Sequence, residues 1–257
     1  MTEGRRRRVQ PTHADATTAR LTRDQRIEAA PRLLDDLFRQ TRRRFLEWAP
    51  ITGQSAQVDS GYIAQHLVSL VTGIPGVWRR GKGLDLADDS EVKTANSVDG
   101  IDMPRWNLSF VREDTIGAML EHPFVFFVLF DHTADGRFRA RIWGISPATD
   151  TGFKAAFANW RAGPRLSRNF QLHPPIGRDD DIATNDSGNL RLPKMFEAVE
   201  MTDGNLVVTL LSERPTGESE LVSVGRWDRQ AGLADQLELA SEQVMELTEG
   251  APEPEQG

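Results

Sequence analysis

The sequence predicts an α/β (α+β) fold with a central mixed β-sheet flanked by helices. Two helical patterns come first, strand patterns follow, and one more helical pattern interrupts the strands. Segments in this order pack as helices against a sheet. A chain of 257 residues can bury such a core without covalent cross-links. It contains no cysteine, which excludes disulfides, thiolate zinc sites and cysteine nucleophiles.

The charge of the chain is unevenly distributed. A net charge of -7 argues against a protein that coats nucleic acid over its whole surface. Arginines concentrate in the first fifty residues, at positions 5–8, 39 and 42–44, and the chain is mostly acidic from Glu218 onward. We expect a disordered basic tail at residues 1–22, one main folded domain at 23–215, and an acidic C-terminal helix and tail at 216–257.

No segment is predicted to cross a membrane. The longest apolar run, residues 123–130, is far shorter than the roughly 20 residues that a membrane-spanning helix needs. The basic N-terminus is not followed by the apolar stretch of a signal peptide. Together with the absence of cysteine, these features favour a cytoplasmic protein.

Two amphipathic helices are predicted first. Residues 32–48 place apolar side chains, including Phe45 and Trp48, at helical spacing, and Pro50 should end this helix. Residues 60–72 form the second helix, which Gly73 and Pro75 should end. Much later, residues 233–247 have the pattern of an acidic helix, which either dimerises or packs on its own subunit; the pattern fits both.

Strand patterns begin after the second helix. "LDLA" (84–87) and "SEVKTA" (90–95) read as the arms of a hairpin that turns at Asp88 and Asp89. "HPFVFFVLF" (122–130) is nearly all apolar, as expected of a central strand covered on both faces. "RFRARIWG" (137–144) alternates arginine with apolar residues, which predicts a half-buried strand with one basic face.

A helix and three more strands complete the predicted fold. "TDTGFKAAFANW" (149–160) reads as a helix capped by Thr149 or Asp150. Further strands are predicted around "RNFQLH" (168–173), "KMFEAV" (194–199) and "NLVVTLL" (205–211).

The predicted hairpin gathers charged groups of a kind that binds a metal. Alternation along the second arm puts Glu91 and Lys93 on one face and turns Val92 into the core, while Asp85 can face the same pocket from the first arm. Two carboxylates and the main-chain carbonyl of Val92 are hard oxygen ligands of the kind Mg²⁺ selects. With Lys93 beside the ion, the predicted chemistry is phosphodiester hydrolysis.

Two other interpretations of this hairpin stay open. Acid-rich hairpins are often merely solvated, with ordinary surface charge. Asp88 and Asp89 are rival first ligands, although a tight turn would aim their side chains outward, and for that reason we favour Asp85.

Several strings of the sequence carry a resemblance to a known family. Asp85 followed by "EVK" at 91–93 resembles the signature of the PD-(D/E)xK nuclease superfamily. The strings "WAPITGQSAQVDSGYIAQHLVSLVTGIPG", "GKGLDLADDSEVKTANSVDGIDMPRWN" and "NFQLHPPIGRDDDIATNDSGNL", within residues 48–190, resemble the MamI-type family of type II restriction endonucleases. The resemblance implies a restriction-endonuclease-like fold and a Mg²⁺-dependent enzyme of a restriction-modification system that cuts double-stranded DNA at a palindromic site with a central spacer.

The sequence departs from the superfamily pattern in two places. Leu84 stands where the signature has proline, a common variation in this loose pattern. Many relatives also place a glutamate on the preceding helix, and this helix has none. Gln65 and Asp59 are the nearest substitutes, and their roles stay open at this stage.

Candidate DNA contacts follow from side-chain chemistry. Arginine pairs with guanine and asparagine with adenine, whereas contacts to phosphate position the protein without reading sequence. The candidates are Arg105 and Asn107 after the "EVK" strand, Arg139 and Arg141 for phosphates, and Gln171 and His173 in a second polar cluster. Trp106 reads as a core aromatic, "RDDD" at 178–181 as a solvated loop, and His173 beside two prolines as structural rather than as a general base.

A palindromic site also predicts the assembly, because a two-fold homodimer cuts both strands most simply. Two other functions remain as alternatives: a sequence-specific DNA-binding protein that does not cleave, and an unrelated acidic α/β enzyme or interaction module. The first leaves the acid-acid-lysine group without a purpose. Failure to bind DNA at low salt would favour the second.

Overall fold

The computed structural model describes residues 17–77, 85–99, 103–108, 120–162, 170–185 and 188–223. The helices are a 3-10 helix (Thr17–Arg20), α1 (Arg23–Leu34), a π-helical segment (Asp35–Arg39), α2 (Gln40–Thr52), α3 (Ser60–Thr72) and α4 (Thr151–Ala162). The strands are β1 (Glu91–Asn96), β2 (Trp106–Leu108), β3 (Val125–His132), β4 (Phe138–Ile145), β5 (Phe170–Leu172), β6 (Ile182–Ala183), β7 (Asn189–Arg191), β8 (Lys194–Glu200), β9 (Leu206–Leu210) and β10 (Glu220–Ser223). The arginines at 5–8 and the acidic segment 233–247 lie outside the described residues.

The central sheet is mixed, as predicted. Its five strands follow the order β1-β3-β4-β8-β9. β1 runs parallel to β3, and the other neighbours are antiparallel. β3 is buried on both faces along almost its whole length, as its apolar sequence predicted. β1 lies at the edge of this sheet, which places the "EVK" residues on a strand with one open side.

The sheet separates two hydrophobic cores, because successive side chains of β3 point to opposite faces. Phe126 and Val128 pack with Phe38 and Leu67 of the helical layer formed by α1 to α3. The neighbouring side chain Phe127 packs on the other face with residues of α4, β2 and β5. A three-stranded sheet, β10-β7-β6, and the β2-β5 pair complete this third layer. The α+β fold class is therefore confirmed.

The first helix differs from its prediction at both ends. It begins at Arg23 rather than at residue 32, after a capping box in which Thr22 and Gln25 bond each other's main chain. Helical structure passes Pro50 and ends at Gly53, whose φ is 70°. Burial of Ala30 and Phe38 at 0% exposure holds the early turns in place, since tertiary packing outweighs local propensity. The 3-10 helix Thr17–Arg20 lies within the predicted tail, whose residues 1–16 are outside the described part of the chain.

The second half of this helix is also more exposed than predicted. α2 buries none of its side chains. Phe45 is 43% exposed and Trp48 is 60% exposed, so the apolar side predicted from the spacing of these residues does not pack in the core at this end of the helix. Among the described residues, no helix has the length and apolar character needed to span a bilayer.

The predicted hairpin is a turn without paired arms. The Leu86 N–H donates to the Ser90 carbonyl, and Asp89 has a φ of 67°, so the chain does reverse where predicted. Leu86 forms its β-bridge with Gly76, however, and β1 pairs with β3. The long apolar strand β3 offers β1 more buried surface than a short polar arm could, which explains the choice of partner.

The prediction that β4 is a half-buried strand with an exposed basic face is wrong. Arg139 and Arg141 are only 2% and 0% exposed, because the loop at residues 173–181 covers that face. Asp131 on β3 bonds both guanidinium groups at 2.8–3.1 Å. Arg139 and Arg141 thus form a buried ion network with Asp131, and of the three alternating arginines Arg137 alone is partly exposed.

Of the two predicted capping residues, Thr149 and Asp150, it is Asp150 that caps α4. Its Oδ1 accepts from the Phe153 N–H at 2.7 Å, and its Oδ2 accepts from the Ser219 N–H at 2.8 Å. The cap therefore also fixes the chain before β10 against the start of α4. Gly152, the second residue of the helix, lies in this close contact.

We expect Gly152→Ala to destabilise the protein. An added Cβ would lie 2.2 Å from the Ser219 carbonyl oxygen, so main chain must move, at a cost of about 1–3 kcal/mol. Gly61→Ala is the matched control, since Gly61 is also the second residue of a helix and its Cβ would meet only Asp59 Oδ1 at 3.4 Å. Urea unfolding measures both variants. Equal stabilities would contradict the close contact.

Candidate active site

β1 presents the charged pair of the "EVK" motif at the edge of the sheet. Glu91 and Lys93 share one face of the strand, and Lys93 Nζ bonds Glu91 Oε1. Val92 points the other way and packs in the helical-side core. The Glu91 N–H donates to the Phe124 carbonyl on the β3 side. The main-chain groups of Val92 therefore face the open edge of the strand.

Asp85 joins this pair from the turn before β1. Its Oδ2 accepts from the Val92 N–H at 2.8 Å, and its Oδ1 accepts from Gln65 Nε2 at 2.7 Å. The open edge of β1 is thus closed by a carboxylate rather than by another strand. The structure brings Asp85, Glu91 and Lys93 together, with the Val92 main chain between them.

Asp88 and Asp89 have a different position from Asp85. Asp88 Oδ1 accepts from the Ser90 N–H at 3.1 Å and so stabilises the turn. Asp89 supplies the left-handed residue of the turn, and its side chain is exposed. Both aspartates shape the turn that delivers Asp85, and neither is bonded to β1 as Asp85 is.

The two carboxylates of the site, Asp85 and Glu91, face one ammonium group, that of Lys93, which leaves an excess negative charge that suits a cation. Burial and the neighbouring Glu91 carboxylate raise the pKa of Asp85, despite the hydrogen bond from Val92 and the charge of Lys93. Glu91 Oε2 is buried without a hydrogen-bond partner among the described residues. An oxygen in that position is unsatisfied unless a ligand reaches it.

The donor set matches a magnesium ion better than a transition metal. Two carboxylates and a carbonyl are hard oxygen ligands, and Mg²⁺ keeps several waters when a protein supplies few ligands. Within the described part of the chain, no group of three or more His, Cys, Asp or Glu side chains could hold a metal.

The structure separates the two candidates on the preceding helix. Asp59 caps α3, accepting from the Gly61 N–H at 3.2 Å. Gln65 lies one to two turns further along α3 and bonds Asp85. Of these two residues, only Gln65 therefore contacts the site. It occupies the position on the helix where many relatives have a glutamate.

His122 is a neighbour of the site that the sequence reasoning missed. Its Nδ1 lies 2.6 Å from the Asp89 carbonyl oxygen, which can only accept, so Nδ1 carries the proton. It is near enough to Asp85 to lower that pKa, against the larger effects of burial and of Glu91. Its position just before β3 could have predicted this, because β3 and β1 are parallel neighbours and parallel strands begin at the same end of a sheet.

A polar cavity lies beside the part of β1 that directly follows the "EVK" motif. It has a volume of about 240 Å³ and is lined by Gln57, Ser60, Thr94, Ala95, Asn96, Asp99, Met103, Pro104, Arg105 and Asn107. Lys93 and Asn96 are three residues apart on β1, a distance of about 10 Å. Arg105 and Asn107 therefore line a groove that adjoins the site.

The second polar cluster predicted from the sequence begins with Gln171, which lies beside Asn107 of the cavity lining. Asn107 on β2 is paired with Gln171 on β5, and Gln171 Nε2 donates to Asn107 Oδ1 at 2.8 Å. His173 follows on the same face of the chain, where its main chain bonds Thr184 in both directions. Trp106 points the opposite way; it is fully buried and donates to the Val128 carbonyl, as expected of a core aromatic.

Arg139 and Arg141 do not belong to this groove. Besides Asp131, they bond the Arg178 carbonyl, and Arg141 also bonds the Pro175 carbonyl. Their predicted contact with phosphate is contradicted by this burial, and their role is to hold the loop at residues 173–181. The "RDDD" acids also anchor this loop: Asp179 bonds Arg139, and Asp181 bonds the Trp143 indole.

Comparisons with known proteins agree on one family. The model of the MamI restriction endonuclease family matches residues 47–210. The chain is 42% identical over 187 residues to the type II restriction enzyme MamI of Microbacterium ammoniaphilum. That match covers 66% of this chain and 61% of the relative. No solved structure matches the chain.

Proposed function

Because the chain belongs to the MamI restriction endonuclease family, we propose that it is a type II restriction endonuclease. It hydrolyses phosphodiester bonds of double-stranded DNA at a specific palindromic site, with Mg²⁺, as part of a restriction-modification system in the cytoplasm. The observation that carries the proposal is the convergence of Asp85, Glu91 and Lys93 on the open edge of β1, beside a polar groove.

In this mechanism Asp85, Glu91 and the Val92 carbonyl would hold the ion. A bound Mg²⁺ lowers the pKa of water and neutralises charge on a phosphoryl group. Lys93 lies beside both acids, where its ammonium group orients the attacking water and stabilises the extra negative charge of the transition state. Gln65 fixes one oxygen of Asp85, which leaves the carboxylate less freedom to rotate away.

The groove beside the catalytic group is the proposed DNA-reading surface. Arg105 and Asn107 line it, Gln171 bonds Asn107, and His173 follows two residues after Gln171 and is included in the proposed surface for that reason. An asparagine or glutamine amide forms two hydrogen bonds with adenine, and an arginine does so with guanine. Arg139 and Arg141 act indirectly, by fixing the loop that follows His173. The residues proposed to read the DNA therefore lie next to the residues proposed to cut it.

Incubation of plasmid DNA with the full chain tests the proposal. Discrete fragments in Mg²⁺ that are absent in EDTA are expected, and sequencing their ends gives the site and the stagger of the cut. Retarded DNA without cleavage would instead indicate a non-cleaving DNA-binding protein. DNA that is neither bound nor cut at low salt would contradict both functions.

We expect Gln65→Ala to raise the Mg²⁺ concentration needed for half-maximal cleavage. Loss of a side chain that orients a metal ligand typically costs 10–100-fold in metal affinity. Gln40→Ala is the matched control, because Gln40 also donates from a helix to an aspartate, Asp35, at 2.9 Å. Cleavage rates across a Mg²⁺ titration measure the effect. The same titration curve for Gln65→Ala and the control would remove Gln65 from the site.

A further inference from the structure

The amide side chains that line the polar groove differ in how many of their hydrogen bonds are already formed. Asn96 Nδ2 donates to Asp99 Oδ2 at 3.0 Å, and Asn96 Oδ1 accepts from the Val98 N–H at 3.0 Å. Both ends of that amide are therefore engaged within the protein. Gln57 lines the same groove and is exposed, and its amide has no hydrogen-bond partner among the residues that the structure describes.

The main chain beside Gln57 is fixed, although residues 53–59, which join α2 to α3, form no helix or strand. The next residue, Val58, is 3% exposed and packs in the helical-side core. Its N–H also donates to Asp99 Oδ2 at 3.3 Å. Directly after it, Asp59 caps α3. The Gln57 amide therefore projects into the groove from an anchored position, as a recognition residue must.

Asp99 joins this segment to two other elements. Besides the Val58 N–H, it accepts from Arg42 Nε on α2 at 2.7 Å and from Asn96 on β1. The Asp99 side chain is only 6% exposed, although the residue lines the groove. A bare carboxylate there would repel phosphate, and the Arg42 guanidinium balances its charge. Asp99 therefore holds the Gln57 segment against β1 without adding an unbalanced negative charge to the groove.

We propose that Gln57 recognises an adenine in the DNA target and that Asp99 is the positioning residue that holds it there. An amide presents one acceptor and one donor side by side, which complement the N6 amino group and N7 of adenine in the major groove. Gln57 lines the same groove as Arg105 and Asn107. This inference rests on the proposed function, because it requires the groove to bind DNA.

A contact between Gln57 and phosphate fits the structure less well. Gln57 is uncharged, and phosphates are held mainly by arginine and lysine. Two residues further on, Asp59 carries a carboxylate and is exposed, and a negative charge so close disfavours a phosphate. The edge of a base has no net charge and is not repelled in this way.

A library of duplexes with randomised half-sites tests the contact. The full chain is allowed to cut the library in Mg²⁺ and, separately, to retain it in EDTA, and the selected sequences are read. We expect the unaltered chain to prefer adenine at one position of each half-site. Gln57→Ala should lose about 10–100-fold of that preference and keep the preferences at all other positions. Gln54→Ala is the matched control, since Gln54 is exposed in the same connection but lies outside the groove lining.

Gln57→Glu separates recognition from a general disturbance of the groove. The carboxylate replaces the donor with an acceptor, and a glutamate accepts from the N4 amino group of cytosine. The preferred base at this one position should therefore change from adenine to cytosine. If Gln57→Ala changes no base preference, or weakens binding and cleavage equally for all sequences, Gln57 does not recognise a base and the proposal is overturned.

Asp99→Asn tests the positioning role. An amide nitrogen cannot accept, so this variant gives up either the bond from Arg42 or the bonds from Val58 and Asn96. The preference at the Gln57 position should weaken, and Asp99→Asn combined with Gln57→Ala should lose no more there than Gln57→Ala alone. A loss that is uniform over all positions, or that adds fully to that of Gln57→Ala, would remove Asp99 from this role.

The two selections also separate this inference from the enzymatic proposal. DNA that is cut at a specific site with no dependence on Gln57 would overturn the base contact and leave the nuclease standing. DNA that is retained with the expected adenine preference but is never cut would disprove the nuclease and leave the role of Gln57 standing. A chain that retains no DNA at low salt would overturn both.

Discussion

Asp85→Asn should abolish DNA cleavage and at the same time raise the melting temperature of the metal-free protein. The substitution keeps the shape of the side chain: the amide oxygen can accept from the Val92 N–H, and the amide nitrogen can donate to Gln65 once the Gln65 amide turns to present its oxygen. It removes one of the two acidic ligands and the charge that the ion would neutralise. A loss of at least about three orders of magnitude in cleavage rate is expected.

The gain in stability follows from the raised pKa of Asp85. Burial and Glu91 disfavour the charged carboxylate in the folded state. The folded protein therefore holds this proton to higher pH than the unfolded chain, and it loses stability as pH rises from the ordinary carboxyl pKa through the raised one. Asparagine has no such charge, so the difference in melting temperature should be present at neutral pH and shrink in acid.

Asp88→Asn is the matched control for this experiment. It makes the same chemical change three residues away, and asparagine can still accept the Ser90 N–H that stabilises the turn. Its cleavage should match that of the unaltered chain. Cleavage lost in Asp88→Asn and kept in Asp85→Asn would identify the rival ligand and refute the proposed site.

Lys93→Ala should also abolish cleavage, but for another reason and with a different effect on stability. Glu91 loses its ion-pair partner while one of its oxygens already lacks a bond. The two acids then repel each other without compensation, so the metal-free protein should become less stable, the opposite of Asp85→Asn. Thermal melts in EDTA distinguish the two variants even though neither cuts. A rise in melting temperature for both would mean that Lys93 does not balance the acids.

The sequence was most informative where a strand is apolar. The run that became β3 predicted its own burial, and alternation at 91–93 predicted which side chains share a face. The partner of β1 could not be predicted in the same way. Pairing with β3 depends on residues more than thirty positions away, whereas the turn at Asp88 and Asp89 is local and suggested a hairpin.

Charged residues were harder to interpret than apolar ones. Alternation in β4 correctly separated Arg139 and Arg141 from their apolar neighbours, but alternation does not reveal what covers a face. Asp131 and the carbonyl of Arg178 make burial of these arginines tolerable, and those partners lie 8 to 39 residues away in sequence. For Gln65 the limit was similar, because its value comes from contact with Asp85, 20 residues further on.

Asp131→Asn should be the most destabilising substitution of a polar residue in the sheet. Asp131 is fully buried and accepts four hydrogen bonds: two from Arg139, one from Arg141 and one from the Gly177 N–H. Removing its charge leaves two buried guanidinium groups with one carboxylate fewer between them. Breaking a buried ion pair from one side costs about 3–5 kcal/mol, which urea unfolding can measure.

The position of Asp131 also predicts where the structure loosens first. Its bonds hold the loop at residues 173–181 over β4, directly after the proposed DNA-reading residues Gln171 and His173. Hydrogen exchange should therefore accelerate in this loop before it does in β1, and DNA binding should weaken more than cleavage of bound DNA. Asp135→Asn is the control, since Asp135 forms an arginine pair on the surface and its loss should leave the free energy of unfolding nearly unchanged. If both variants unfold at the same urea concentration, Asp131 does not stabilise the sheet and the buried arginines must be neutralised by other groups.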